Sequence, residues 1–229
     1  MLPKQWIENL SSGERIAFHL RYKIISGEVK GNEKLSENQL ATLYEVSRSP
    51  IRDALKILAN DHLIRLERMG AVVCALSDKD IQELYDMRIM IEGFAFEKID
   101  QATIETLVLE LEKKLEMMRV AVKFNDAAEF AMQDILFHQT MIESIHHQQL
   151  EKLWQAIKPN MLILNLISMQ QRMNEDKADF ERIFNNHEMY IKAVRTQDRK
   201  LYKKVLHINF DDLNDEVDDL FYSQTKEDI

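Results

Sequence analysis

The chain has 229 residues, 45% apolar and 30% charged, enough for a sizeable core in one large domain or two small ones. No apolar run reaches the roughly 20 residues that cross a bilayer, Met1–Leu10 is too polar for a signal peptide, and a single Cys74 excludes an internal disulfide. The chain is therefore expected in the cytoplasm, with Cys74 a small semi-buried residue or, as the lesser alternative, a redox-sensing thiol. A net charge of −9 speaks at first against a DNA partner, but it is unevenly spread. Residues 1–76 hold 11 Lys and Arg against 9 Asp and Glu, so residues 77–229 hold the other 19 against 30, a net −11. That is a near-neutral head on an acidic body, a distribution that makes DNA affinity salt-sensitive.

In chain order, Ser36 suits an N-cap, Gln39 follows three residues on as in a capping box, and Leu40 and Leu43 share a face. A second helix begins at Ser47 or Ser49, with Pro50 at the first helical position, where its missing N–H costs nothing. Ile51, Leu55 and Leu58 form its apolar stripe, which leaves Arg48, Ser49 and Arg52 at the exposed N-terminal end. Two short helices joined by a tight turn can push that end into a major groove, where Arg pairs bidentately with guanine. The helix N-terminus and the hydroxyls of Ser47 and Ser49 suit phosphate oxygens. Leu63–Leu66 and Ala71–Val73 read as strands joined through Glu67-Arg68-Met69-Gly70, which makes a wing. The alternative is a small helical domain whose Arg residues form a solvated face.

Through Leu35-Ser36-Glu37, Leu40-Ala41, Val46-Ser47-Arg48, Pro50-Ile51-Arg52-Asp53-Ala54-Leu55 and the wing's Gly70 and Val73, residues 14–76 resemble the GntR family of bacterial regulators. The chain after Ser77 resembles that family's all-helical FCD effector domain. The resemblance implies a mainly α protein with a winged helix-turn-helix domain over 1–76 and a helical-bundle effector and dimerisation domain over 77–229. It assigns DNA contacts to Asn38, Ser47, Arg48, Ser49, Arg52, Met69 and Gly70. Many relatives carry Arg at the place of Asn38, so Asn38 reads a different feature or touches only the DNA backbone. The likeness runs through Ile64–Val73 and His207–Asp212 to members that govern sugar-acid use, and so implies gluconate as the effector.

After Ser77 only Gly93 and Pro159 interrupt a stretch rich in helix formers, and Ser77-Asp78-Lys79-Asp80 looks like the cap that opens it. Helices are predicted near 78–98, 101–123, 126–145, 148–157, 160–173, 176–196 and 198–222, with a polar tail after Ser223. Helical spacing puts Ala127, Ala131, Asp134, His138, Met141 and Ile145 on one core-facing stripe. Phe180, Phe184, His187, Ile191 and Val194 form a second, and Leu201, Val205, Asn209 and Leu213 a third. A buried Asp and two His need a shared hydrogen-bond network or a cation. The i, i+4 pair Asp134 and His138 has a chelating geometry, and carboxylate plus imidazoles suits zinc, nickel or manganese. The FCD resemblance implies a metal on Asp134, His138 and His187, with a fourth ligand position that falls on Asn209 where relatives have His. Asn209 then supplies a weak oxygen ligand, or the site binds the effector directly without a metal. His207 lies about 200° around the helix from Asn209, on the solvent side.

Arg88 stands on the inward line Ile81, Leu84, Arg88, Ile91, Ala95, with Glu92 one turn later. It forms either an internal pair with Glu92 or a fork for an effector carboxylate, and the resemblance favours the fork. His146, His147, Arg119, Lys123 and the Asp211–Asp219 acidic run read as exposed. The reading is a non-enzymatic homodimeric repressor that binds a palindromic operator and is released by a small sugar acid. The alternatives are an all-helical metalloenzyme on the same three ligands and a regulator that responds to metal alone.

Overall fold

The computed structural model describes residues 3–68, 70–175 and 179–210, without the side chains of 4, 175 and 207–210. The chain divides into two compact units, one up to Ile81 together with Pro159–Ile167, the other Gln82–Lys158 together with the chain from Ser168 on. Among the described residues no helix is long and apolar enough to cross a membrane.

The first unit begins with a short 3-10 turn, Lys4–Trp6, and helix α1, Ser12–Ile25. Ser11 and Glu14 close a reciprocal capping box at the start of α1, in which each side chain accepts from the other's backbone amide. Strand β1, Lys34–Ser36, then leads into α2, Glu37–Leu43, and α3, Arg48–Asn60. Glu45, in the turn between α2 and α3, takes φ +54. Strands β2, Ile64–Glu67, and β3, Gly70–Val73, make the expected wing.

Strand β1 was not expected. It pairs antiparallel with β3, Leu35 against Ala71, and gives the strand order β1-β3-β2. Leu35 and Ser36 therefore lie on a sheet edge; Ser36 is still the N-cap of α2, as expected, but its hydroxyl makes no cap bond. Gly70 is fixed by this pairing: its φ is +151, and a Cβ there would stand 2.0 Å from the Leu35 carbonyl oxygen. Pro50 is the third helical residue of α3, not the first, and its missing N–H still falls among the four that a helix start leaves unpaired.

The core of this unit is the apolar face of α1 (Ile16, Leu20, Ile24), the stripe Ile51, Leu55 and Leu58 of α3, and Leu35, Leu40, Leu63, Ile64, Ala71 and Val73 around them. Burying that stripe, at roughly 1.5–3 kcal/mol per large side chain, forces the opposite face of α3 outward. The buried Arg21 is paired with Asp61 and donates to Asn160 Oδ1 at 2.9 Å, so its charge is compensated.

The second unit is helical. It contains α4, Asp78–Glu97, from Gln82 on; α5, Ile104–Lys123, after a short 3-10 turn; α6, Ala127–Glu143; α7, Gln148–Glu175, apart from the Pro159–Ile167 stretch that belongs to the first unit; α8, Asp179–Thr196; and α9, Arg199–Phe210. Ser77 caps α4 as its sequence suggests, its amide and hydroxyl bonding the Asp80 carboxylate and its Oγ accepting from the Asp80 amide. One expectation fails. The two helices predicted around Pro159 are the single 28-residue α7. Proline removes one i to i−4 bond and can bend a helix without ending it. The turns after it carry Met161, Leu162, Ile163 and Leu166, all buried, so packing keeps the helix going. Leu213, the acidic run and the tail lie outside the described residues.

Candidate functional site

Two groups of polar residues stand out against these cores. The first is the start of α3. Ser47 is its N-cap without a side-chain cap bond, so its hydroxyl is not spent on the helix. Arg48, Ser49 and Arg52 are exposed, as is Asn38 on α2. Arg52 is steered, because its Nε donates to Glu37 Oε2 at 3.0 Å, and Glu37 is mostly covered. That pair fixes the direction of Arg52 from the neighbouring helix, and the sequence reading missed it. The signal was present in Glu37, at the first position of α2, but its partner lies fifteen residues on. Gly70 is buried at the start of β3, while Met69 lies outside the described residues.

The second group lies inside the helical unit. All three predicted ligands are buried: Asp134 and His138 one turn apart on α6, and His187 on α8. The two stripes read from the sequence supply them as expected. One donor atom from each falls within 4.8 Å of the others. His187 Nδ1 lies 2.8 Å from the carbonyl oxygen of Ile183, which can only accept, so Nδ1 carries the hydrogen. Nε2 of the neutral ring then presents a lone pair. It stands 3.1 Å from Asp134 Oδ1 and has no hydrogen-bond partner. A lone pair facing a carboxylate oxygen at that distance is repulsive unless a proton or a cation lies between them. An N, N, O donor set of this size fits zinc, nickel or manganese with open positions. Asn209, the fourth residue expected here, lies outside the described side chains, as does His207.

Arg88, also buried, makes the internal pair, its Nε donating to Glu92 Oε1 at 2.7 Å. Glu92 then reaches further than the sequence suggested, because its Oε2 lies 2.8 Å from His138 Nδ1 and accepts from the Tyr190 hydroxyl at 2.8 Å. Tyr202 on α9 touches both the Tyr190 hydroxyl, at 3.0 Å, and the Glu92 carbonyl, at 3.2 Å. Burial alone would raise Glu92, but the charge of Arg88 and the hydrogen bonds from His138 and Arg88 are among the causes that bring its carboxyl down to about 2. Burial would likewise raise Asp134, and the charge of Arg88 is among the causes that hold it well below the usual carboxylate range. Burial, with the charge of Arg88 added, pulls His138 below its ordinary value and favours the neutral, metal-ready ring. Burial and the Glu92 charge push Tyr190 and Tyr202 well above theirs, so both stay protonated donors.

Tyr190 and Tyr202 were not singled out from sequence. Tyr190 follows His187 by three residues on the same helix face, which was the available signal; Tyr202 carried none. His146 and His147 are exposed as expected, and His147 caps α7 by accepting from the Leu150 amide. Cys74 is free and half-buried.

Two family models match the chain. Residues 12–73 match the bacterial regulatory proteins of the gntR family, and residues 83–211 match the FCD domain. The chain is 50% identical over 224 residues to the gluconate operon transcriptional repressor of Bacillus licheniformis, covering 98% of this chain and 92% of that protein. It is 49% identical over the same length to the protein of that description from Bacillus subtilis, with the same coverage. Among solved structures, E. coli McbR/YncC shares the fold at 17% identity, with a TM-score of 0.63 over 89% of this chain and 97% of that one. The structure of Lar, which controls the Listeria monocytogenes agr system, does so at 18% and 0.59 over 89% and 94%.

Proposed function

The chain belongs to the GntR family of DNA-binding bacterial regulators and carries its FCD domain, and on that premise we propose a cytoplasmic homodimer that represses a gluconate-use operon and leaves its operator when gluconate binds the buried cluster. Residues 1–76 read DNA through Asn38, Ser47, Arg48, Ser49, Arg52 and the wing tip at Met69 and Gly70. Residues 77–229 sense and dimerise. The observation that carries the effector reading is one buried interior holding both the Arg88 fork and the three donor atoms of Asp134, His138 and His187. A guanidinium suits a carboxylate, and a divalent cation on Asp134, His138 and His187, with Asn209 as the further residue, suits hydroxyls. Such a lining would leave polar groups unpaired around a hydrocarbon, so it favours a polyhydroxylated anion. The names of the two Bacillus relatives support gluconate among such anions.

A second copy is supported by α5. Leu109, Met117, Val120 and Phe124 are exposed on one face of it. Glu105, Glu110 and Glu112 outnumber Lys113 toward its start, and Lys114, Arg119 and Lys123 outnumber Glu116 toward its end. Two antiparallel copies would cover the apolar stripe and oppose unlike charges, as a two-fold interface requires. A ligand shifts the dimer away from its DNA-fitting arrangement only by the difference in its affinity for the two states.

Thermal unfolding with gluconate tests the effector. A ligand at 100 times its Kd stabilises the folded state by about 2.7 kcal/mol, so gluconate should raise Tm by several degrees. Arg88→Lys keeps the charge but loses the fork, and the rise should shrink or vanish. An equal rise in the variant would remove Arg88 from the site, and no rise in the wild type would remove gluconate. A rise with the metal alone, unchanged by sugar acids, would make the metal itself the signal.

A further inference from the structure

We infer that Glu92, steadied by Tyr190, is the positioning residue that decides which ring nitrogen of His138 faces the site. Its consequence for metal binding rests on the reading above; the tautomer itself does not.

Glu92 is 0% exposed, and a carboxylate so deeply buried needs every oxygen satisfied. An ion pair with Arg88 accounts for Oε1 alone. Oε2 is met by two further groups from two further helices, His138 Nδ1 from α6 and the Tyr190 hydroxyl from α8, each at 2.8 Å. Tyr190 is itself held by Tyr202. With Arg88 fixing its charge, the carboxylate accepts and does not donate, so Nδ1 must carry the hydrogen. In the neutral ring Nε2 is then a bare lone pair. For His187 the Ile183 carbonyl does the same work. Two different acceptors thus impose one tautomer on two imidazoles, and both leave Nε2 as the ligand atom beside Asp134. Metal-bound histidines are commonly fixed by an outer carboxylate or carbonyl in this way, and removal of that partner weakens the metal 10–100-fold.

Glu92→Gln separates this role from simple packing. The amide has one accepting oxygen. If that oxygen faces His138 and Tyr190, the NH2 group meets the Arg88 donor. If it faces Arg88, the NH2 group meets His138, Nδ1 must accept, and the hydrogen moves to Nε2, which closes the ligand position. The full-length protein, stripped of metal, would be followed by two-bond 1H–15N correlation of its imidazoles and then titrated with zinc. The wild type should show His138 hydrogenated at Nδ1. Glu92→Gln should shift it toward Nε2–H and weaken zinc about 10–100-fold. Tyr190→Phe, which keeps the acid, should keep the tautomer and lose a smaller factor. A wild-type His138 hydrogenated at Nε2 would overturn the assignment, as would unchanged tautomer and zinc affinity in Glu92→Gln. The wild-type spectrum decides even if the Gln variant fails to fold. A wild type that has the Nδ1–H tautomer yet takes up no zinc upholds the positioning role and counts against the metal.

Discussion

His187→Ala is expected to empty the buried site of metal. Elemental analysis of dialysed wild type should find about one zinc, nickel or manganese per chain, and the variant close to none. The reason lies in the donor count. Asp134 and His138 sit one turn apart on α6, whereas His187 comes from α8 and supplies Nε2, a buried atom without a hydrogen-bond partner. Without it, two donors from one helix remain, and affinity should fall by at least about 100-fold, past the range for losing an outer partner. The variant also loses the edge of the ring packed 4.8 Å from Phe137, so some stability will go with the side chain. Comparing both proteins in the presence of a chelator isolates that packing loss. The metal contribution is the extra stability that only the wild type gains when metal is added. Metal-free wild type would assign the cluster to direct hydrogen bonding, and equal metal in both would remove His187 as a ligand.

Arg48→Ala should weaken operator binding by roughly 1–3 kcal/mol, about 5- to 150-fold, and relax discrimination at one base pair. Arg48 is the first residue of α3 and is exposed, while the apolar stripe of the same helix is buried behind it, so the loss falls on DNA and not on folding. Arg52 is the useful comparison. Its guanidinium is already directed by Glu37, so Arg52→Ala should cost affinity while Glu37→Ala leaves the charge but frees its direction, and should reduce specificity more than affinity. Mobility shifts on the operator and on single-base variants at fixed salt read both quantities. Wild-type affinity and specificity in both Arg variants would remove α3 from the reading role.

The parts of this molecule that follow from one helix's periodicity were legible in the sequence. Asp134 and His138 interrupt an apolar stripe on α6 and His187 interrupts one on α8, and all three are buried together. The exposed Arg48 and Arg52 follow in the same way from the stripe behind them. What depends on pairing between distant segments was not legible. Strand β1 exists only because β3 accepts it, and nothing in Lys34–Ser36 alone showed that a strand leads into the helix start correctly read at Ser36. Pro159 carries a strong local stop signal, which the buried apolar turns after it override. Glu92 read as the i+4 partner of Arg88, but its bonds to His138 and Tyr190 depend on how three helices converge. Local chemistry thus pointed to the ligands, and only the packing disclosed what orients them.

The most direct test is to titrate gluconate into the preformed complex of the full-length protein with its operator, once with metal-loaded protein and once with chelator present. Gluconate should release the DNA, with the half-release concentration raised by the chelator and raised again by Arg88→Lys, while operator binding without gluconate stays near normal in each case. A complex that survives saturating gluconate with metal present would contradict gluconate as the effector.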